Sequence, residues 1–209
     1  MSANFDPKAL FSLSYGLYLV TSHDGQRDNG MIANTACQQT DSPCRVSVTI
    51  NKAGYSHDVI RKTGKMNVHC LSKDTPFAVF ERFGFHSGKD TDKFADAPVT
   101  RRSGNGLAVV EENVNAWLSL EVEQYIDLGT HGMFICAVPE AEVLSPVPSL
   151  TYADYHRDVK PKRQPQPQAE KTVYVCRVCG YVYEGDPLPE DYICPLCKHD
   201  ASYFDKVTK

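Results

Sequence analysis

Four cysteines near the C-terminal end have the type and spacing of a metal site. They form two C-x2-C pairs, Cys176 with Cys179 and Cys194 with Cys197, and fourteen residues separate the pairs. Thiolate sulfur is a preferred ligand of both zinc and iron, and two such pairs can converge on one tetrahedral ion. The spacing alone slightly favours a structural zinc ribbon, because zinc ribbons use nearly the same spacing. Iron is the alternative.

The residues that flank the cysteines favour iron. Gly180-Tyr181 follows the first pair, a proline-rich return leads to the second pair, and Pro195 follows its first cysteine. Over residues 173–205 this pattern resembles a rubredoxin, and the resemblance implies one iron held by four cysteines. Two residues depart from it, since Tyr192 stands where tryptophan is usual and Lys198 where glycine is usual. Because that glycine turns tightly and offers an amide to sulfur, we expect the lysine to alter the sulfur hydrogen bonding.

The overall composition is that of an ordinary globular protein. The 209 residues are 42% hydrophobic and 23% charged, with a net charge of −4 and no basic patch. We therefore expect no nucleic-acid partner. No apolar run approaches the ~20 residues that span a bilayer, and the N-terminus lacks the pattern of a secretory signal. We expect no membrane association and a cytoplasmic location, with the other cysteines as free thiols.

The rest of the chain is rich in predicted strands. Segments such as Cys44–Ile50 alternate β-branched residues, helices are few, and no regular βαβ alternation occurs. This pattern predicts a β-barrel rather than a doubly wound sheet. Buried positions are expected for Trp117 and for three of the scattered cysteines, Cys44, Cys70 and Cys136.

A proline- and glutamine-rich stretch with almost no apolar residues divides the sequence. Such a composition is typical of an extended linker. We predict a barrel over residues 1–160, a linker over 161–171 and the metal-binding module over 172–209.

Two stretches of the barrel sequence suit a ligand. Asn29–Cys37 is small and polar for a strand, so a ligand can approach its backbone. Lys52 follows a predicted strand, and Ser56 stands where it could cap the next helix. A helix N-terminus beside a lysine suits a phosphate group, although an ordinary capped helix explains the same residues.

Residues 1–160 resemble the flavin reductase-like family of FMN-binding split barrels. The segments that carry the resemblance are Asn29–Thr35, Ser47–Lys52, Ser87–Phe94 and Gly129–His131, together with Asp6–Leu10, Thr151-Tyr152 and Tyr155-His156. The resemblance implies a mainly β fold, a split β-barrel with a few helices, and a homodimer with FMN at the barrel rim.

The resemblance also implies the site residues. The flavin ring faces the backbone of one segment, and the phosphate and ribityl chain lie near a second. The implied cofactor contacts are Asn29, Ala33, Asn34, Thr35, Ala36 and Cys37, then Asn51, Lys52, Tyr55 and Ser56, and finally Phe83 and Lys89 from a closing loop. His131 is the candidate catalytic residue beside the ring or the nicotinamide. The family commonly has aspartate before this histidine, where this chain has Thr130.

Fused chains of this kind are similar to the high-molecular-weight rubredoxins of anaerobes. That resemblance implies electron transfer from NAD(P)H through FMN to iron, with a flavodiiron O2 or NO reductase as partner. Because no Rossmann fingerprint is present, NAD(P)H has to stack on the flavin directly. Two alternatives remain: a free flavin or ferric reductase with a structural zinc ribbon, and an FMN-storage or interaction protein without catalysis.

Overall fold

The chain forms two compact units that meet in sequence between Pro161 and Lys162. The computed structural model describes residues 5–96, 99, 101–162 and 172–208. Most of the predicted linker, residues 163–171, lies outside the described residues. Each unit is described by itself.

The first unit is built on a seven-stranded antiparallel sheet. Its strand order is β2-β1-β5-β8-β9-β4-β3, and a separate hairpin pairs β6 with β7. The strands are β1 Tyr18–His23, β2 Asp28–Ala33, β3 Ala36–Asp41, β4 Cys44–Asn51, β5 Lys65–Leu71, β6 Arg101–Arg102, β7 Ala108–Val109, β8 Val114–Asp127 and β9 His131–Val143. The helices are a 3-10 helix Pro7–Ser12, α1 Tyr55–Thr63, α2 Phe77–Gly84 and α3 Tyr152–Asp154, which continues as a π-helical turn Tyr155–Val159.

The sheet is curled into a split barrel. Its two edge strands, β2 and β3, are consecutive in the chain, and only Asn34 and Thr35 connect them. Three residue steps reach at most ~11 Å, so the last residue of β2 and the first of β3 lie close together. The two edges of the sheet therefore meet without pairing. This confirms the prediction of a mainly β split barrel.

Alternating residues of the strands fill the barrel core. On β4, Val46, Val48 and Ile50 are buried, as the two-residue period of a strand requires. Phe134 from β9 is fully buried in the same cluster. Trp117 is also fully buried, as predicted, and its indole N–H donates to a Glu142 carboxylate oxygen at 3.2 Å.

The scattered cysteines differ in exposure. Cys136 is fully buried, as predicted, and Cys70 is half-buried. The expectation for Cys44 was wrong because it starts β4 at the exposed turn that follows edge strand β3.

The second unit is a small three-stranded sheet around the four clustered cysteines. Its strand order is β11-β10-β12. The strands are β10 Thr172–Cys176, β11 Val182–Tyr183 and β12 Phe204–Thr208, and a 3-10 helix spans Ala201–Tyr203. Cys176, Cys194 and Phe204 form its buried centre, surrounded by tyrosines. Across the described part of both units, no helix combines the length and hydropathy that a membrane span requires.

A buried histidine makes the stability of the barrel depend on pH. His69 is fully buried on β5, its Nδ1 donates to the Leu19 carbonyl at 3.0 Å, and its Nε2 accepts the Val110 amide at 3.1 Å. The Val110 contact needs the neutral ring, and burial lowers the pKa of His69 to about 4 although the bond to Leu19 opposes the shift. The unfolded chain binds the proton near pH 6.5, so stability falls as the pH drops from 6.5 toward 4.

We predict that His69→Gln removes this part of the pH dependence. The wild type should lose on the order of 2 kcal/mol between pH 7 and pH 4.5 that the variant does not lose. Urea unfolding of both proteins at several pH values measures the difference. Equal pH slopes for the two proteins would contradict the assignment.

Candidate functional site

The four cysteine sulfurs are already arranged around one ion-sized space. All four Sγ atoms lie within 4.8 Å of one another. The Cys176–Cys197 sulfurs are 3.6 Å apart, and the Cys179–Cys194 sulfurs are 3.5 Å apart. Sulfurs about 2.3 Å from a tetrahedral ion are separated by about 3.8 Å, so the cluster fits a single four-coordinate metal.

The two C-x2-C turns hydrogen-bond to their sulfurs in the same way. The first sulfur of each pair, Cys176 or Cys194, accepts the amides two and three residues later. The second sulfur, Cys179 or Cys197, accepts the amide two residues later. Burial opposes ionisation of the Cys194 thiol, but the Cys197 and Leu196 amides and the neighbouring thiols lower its pKa to about 6. These amides favour the thiolate that a metal binds.

Lys198 keeps the backbone that a glycine would adopt. Its φ is 62°, close to the 74° of Gly180 at the equivalent place in the first turn. Its amide donates to the Cys194 carbonyl at 3.0 Å, as the Gly180 amide does to Cys176 at 2.9 Å. The amide that reaches the Cys197 sulfur belongs to the next residue, His199. The expectation that Lys198 changes the sulfur hydrogen bonding was therefore wrong.

The lysine instead costs backbone strain, because L-residues other than glycine disfavour this left-handed conformation. We predict that Lys198→Gly stabilises the small unit by about 1 kcal/mol, after allowance for the greater freedom of glycine in the unfolded chain. The denaturant midpoint for loss of metal-site absorbance measures the gain. Gly180→Lys is the matched control and should lower the same midpoint. A lower midpoint for Lys198→Gly would contradict the strain assignment.

In the barrel, the predicted catalytic histidine lies opposite the end of β4. Asn51 pairs with His131 across the β4–β9 ladder. The Lys52 amide donates to the Thr130 carbonyl at 3.0 Å. The His131 Nδ1 is 2.9 Å from the Thr130 hydroxyl oxygen, so Thr130 orients the imidazole without adding a charge. These residues form one end of the barrel, which we call the rim.

Lys52 already has an anionic partner at the rim. Its Nζ lies 3.0 and 2.8 Å from the two carboxylate oxygens of Asp127. The hydrogen bond raises the pKa of Lys52 and lowers the pKa of Asp127. Sequence reasoning missed this acid, which lies 75 residues away from Lys52 in the chain. A phosphate at the rim would have to share the lysine with it.

Helix α1 begins at the rim without a side-chain cap. Its N-cap is Gly54, and no side chain in the described part of the chain caps its first amides. The prediction that Ser56 caps α1 was wrong, because Ser56 lies inside the first turn and its hydroxyl accepts from Asn29 Nδ2 at 2.8 Å. Uncapped amides at a helix N-terminus are donors that suit an anion.

Two more polar groups meet this first turn. The Tyr55 hydroxyl donates to Asp24 Oδ2 at 2.7 Å. Asn29 is only 2% exposed, yet its Oδ1 has no hydrogen-bond partner among the described residues. A buried polar atom without a partner is costly in a finished protein interior, so it marks a place where a polar ligand fits.

The predicted ring-facing segment is the connection between the two edge strands. Ala33 ends β2 and is buried, whereas Asn34 and Ala36 are half-buried. The Thr35 hydroxyl donates to the Thr49 carbonyl at 2.6 Å, and the Thr49 amide returns a bond to the Thr35 carbonyl at 3.0 Å. Cys37 is exposed on β3. The connection is thus fixed to β4 beside the rim.

The two predicted contacts from a closing loop separate in the structure. Phe83 lies on the last turn of α2, is buried, and packs 5.4 Å from the Phe94 ring centroid. It belongs to the core beneath that helix. Lys89 is exposed in the loop that follows, residues 85–94, and has no salt bridge among the described residues. Contacts in the structure join Asn29 to Ser56 in the first turn of α1, whereas Phe83 lies in the core.

Two domain families match the two units. The flavin reductase-like domain family matches residues 10–161, and the rubrerythrin, rubredoxin-like domain family matches residues 174–205. The chain therefore belongs to the flavin reductase-like family and carries a C-terminal rubredoxin-like domain. A high molecular weight rubredoxin of Moorella thermoacetica is 35% identical over 97% of this chain and 100% of its own length.

Other relatives match the barrel alone or its fold. The ferric-chelate reductase (NAD(P)H) of Archaeoglobus fulgidus is 36% identical over 72% of this chain and 89% of its own length. The structure of the NADH:FAD oxidoreductase SgcE6 of Streptomyces globisporus covers 72% of this chain and 93% of its own, with a TM-score of 0.62 and 19% identity. That likeness shows the shared fold.

These findings confirm three predictions from the sequence. The chain is an oxidoreductase of the flavin reductase-like family, and its C-terminal unit is a rubredoxin-like domain with four cysteines placed for one metal ion. The flavin and iron cofactors are those of the two matched domains.

Proposed function

We propose that this chain is an electron carrier that takes electrons from NAD(P)H through FMN to its own iron site and on to another protein. The observation that supports this best is the presence, in one chain, of a flavin reductase-like barrel and a four-thiol cluster of one-ion size. FMN, when bound, takes two electrons together from NAD(P)H and releases them singly, which is the form that a one-iron site accepts.

The rim offers groups that suit each part of FMN. The uncapped amides of α1, at Tyr55 and Ser56, suit the phosphate, with Lys89 as the cation that has no carboxylate partner in the described chain. The orphaned Oδ1 of Asn29 and the side chain of Asn51 suit the ribityl hydroxyls. Small residues from Ala33 to Cys37 leave the backbone open to the ring.

His131 is proposed to contact the nicotinamide or the flavin ring. Thr130 holds its Nδ1, so Nε2 is the nitrogen left to face a ligand. Phe83 contributes by packing against Phe94 at the end of the 85–94 loop rather than by a polar contact. Lys52 acts with Asp127 as a neutral pair at the rim.

The iron site has one exposed edge for electron transfer. Cys176 and Cys194 are buried, whereas Cys179 is exposed and Cys197 is half-buried. Val178 and Leu196, inside the two C-x2-C turns, are 50% and 67% exposed. Exposed apolar side chains beside a redox site suit transient contact with a protein. The proposed acceptor is a flavodiiron protein that reduces dioxygen or nitric oxide.

We predict that Cys179→Ser separates the two electron-transfer steps. Anaerobic titration with NADH, and separately with NADPH, should still bleach the flavin absorbance of the variant, because the barrel is intact. Reduction of an external one-electron acceptor protein should fall to background, because the iron ligand set is lost. Cys44→Ser, which removes an exposed thiol elsewhere, is the control. Reduction of the acceptor protein by Cys179→Ser at the wild-type rate would contradict the proposed route through the iron.

The A. fulgidus relative favours a second candidate function. Its match covers the barrel, so a ferric-chelate or free flavin reductase with a structural zinc in the small unit also fits. Iron and zinc measured on the same anaerobically purified sample decide between the two. One iron per chain supports the electron carrier. One zinc per chain, with full reductase activity in Cys179→Ser, supports the reductase.

The proposed active form is a homodimer. Leu10, Phe11 and Leu13, on or beside the N-terminal 3-10 helix, are 51%, 85% and 56% exposed. Such apolar exposure suits burial against a second copy. Sedimentation velocity should then give twice the 23.3 kDa of one chain.

A further inference from the structure

One arginine fixes the middle of the 85–94 loop. Arg27 follows the β1–β2 turn, and its NH2 group donates to the Gly88 carbonyl at 2.8 Å and to the Lys89 carbonyl at 2.6 Å. Both acceptors are backbone carbonyls, and the Arg27 guanidinium forms no salt bridge among the described residues. Hydrogen bonds from a charged donor are stronger than neutral ones, so this contact holds the loop against β2.

Arg27 is itself tied to the first turn of α1. The Arg27 amide donates to Asp24 Oδ1 at 2.9 Å, while Tyr55 donates to the other oxygen of the same carboxylate at 2.7 Å. These two donors, together with the Gln26 amide, hold the pKa of Asp24 at about 2, so the carboxylate stays charged at neutral pH. A continuous chain of hydrogen bonds therefore connects the first residue of α1 to the 85–94 loop.

The loop lies directly against the unpaired group of the rim. Gly88 is buried, and a Cβ on it would lie 1.8 Å from Asn29 Oδ1 and 3.3 Å from a Tyr55 ring carbon. Only glycine fits there. The next residue is Lys89, so its side chain leaves the backbone beside the uncapped N-terminus of α1.

A second cation anchors the end of the same loop. Lys93 is 6% exposed, and its Nζ donates to the Gly30 carbonyl at 2.8 Å and the Phe83 carbonyl at 3.0 Å. Lys93 thus attaches the C-terminal end of the loop to β2, and Arg27 attaches the middle of the loop to the residue before β2. Arg27 is the contact nearest to Lys89.

We propose that Arg27 is a positioning residue for phosphate recognition. It holds the 85–94 loop in place so that the Lys89 ammonium and the α1 amides bind the same phosphate group. Arg27 itself does not contact the ligand. The inference rests on the proposed binding of FMN and deepens it, because it makes Arg27 a determinant of FMN affinity relative to riboflavin, which lacks the phosphate.

Flavin binding by full-length variants tests the proposal. Flavin-free wild type, Arg27→Met, Lys89→Met, the double variant and Arg45→Met are titrated with FMN and with riboflavin by flavin fluorescence. Arg27→Met and Lys89→Met should each weaken FMN binding about tenfold and leave riboflavin binding unchanged, and the double variant should be no weaker than either single one. Arg45→Met removes the same charge at a remote salt bridge with Glu123 and should behave as wild type.

A second readout needs no flavin. A lysine-specific endoproteinase should cut after Lys89 faster in Arg27→Met than in wild type or Arg45→Met, because the loop is released. Arg27→Lys, which keeps a charged donor, should give intermediate values in both assays. Fluorescence of the buried Trp117 checks that each variant is folded.

Different results overturn different claims. Equal weakening of FMN and riboflavin, additive effects of Arg27→Met and Lys89→Met, or unchanged cleavage would each reject the positioning role of Arg27 while FMN binding by the wild type keeps the proposed function. A wild type that binds neither flavin would reject the proposed function, and the inference with it.

Discussion

The barrel depends on a two-residue connection between its edge strands. Asn34 and Thr35 join β2 to β3 across the full width of a seven-stranded sheet, which is possible only if the sheet is curled until its edges meet. The reciprocal Thr35–Thr49 hydrogen bonds attach that connection to β4. Because β4 then leads straight into α1, the same constraint brings the helix N-terminus, the start of β9 and the open backbone of the edge strands to one end.

Two of the cationic side chains at this end of the barrel already have partners within the protein. Lys52 forms a salt bridge with Asp127, and the Arg27 guanidinium donates to two backbone carbonyls. Among the described residues, the groups left for the proposed phosphate are the uncapped amides of α1 and the exposed Lys89. Such a site would select a phosphate by geometry more than by net charge. The helix amides donate in fixed directions, whereas a lysine ammonium attracts any nearby anion regardless of its shape.

The sequence predicted the features that depend on local pattern. The C-x2-C spacing and its flanking residues predicted the metal module, and β-branched alternation predicted strands such as β4. Local patterns could not predict contacts between residues that are far apart in the chain. Lys52 and Asp127 are 75 residues apart, and Arg27 and Lys89 are 62 residues apart. Local reasoning also failed where two residues competed for one role. Gly54 rather than Ser56 is the N-cap of α1, because Ser56 lies inside the helix and its hydroxyl accepts from the Asn29 side chain on β2.

Lys198 shows why the residue type at one position predicted the wrong consequence. The sulfur hydrogen bonds of both C-x2-C turns come from backbone amides, so they depend on φ and ψ and not on side chains. Lys198 adopts a left-handed φ, so these hydrogen bonds are preserved and the lysine backbone is strained instead. The metal environment is therefore insulated from side-chain substitution as long as the backbone turn survives.

The exposure of the iron ligands constrains how the proposed carrier works. Cys176 and Cys194 lie in the centre of the small unit, so the shortest path to the iron runs through the edge at Cys179. In the proposed route, electrons therefore enter and leave the iron through this edge. Because the buried sulfurs of Cys176 and Cys194 offer no second approach within the described part of the small unit, the surroundings of Cys179 are what any electron-transfer partner meets.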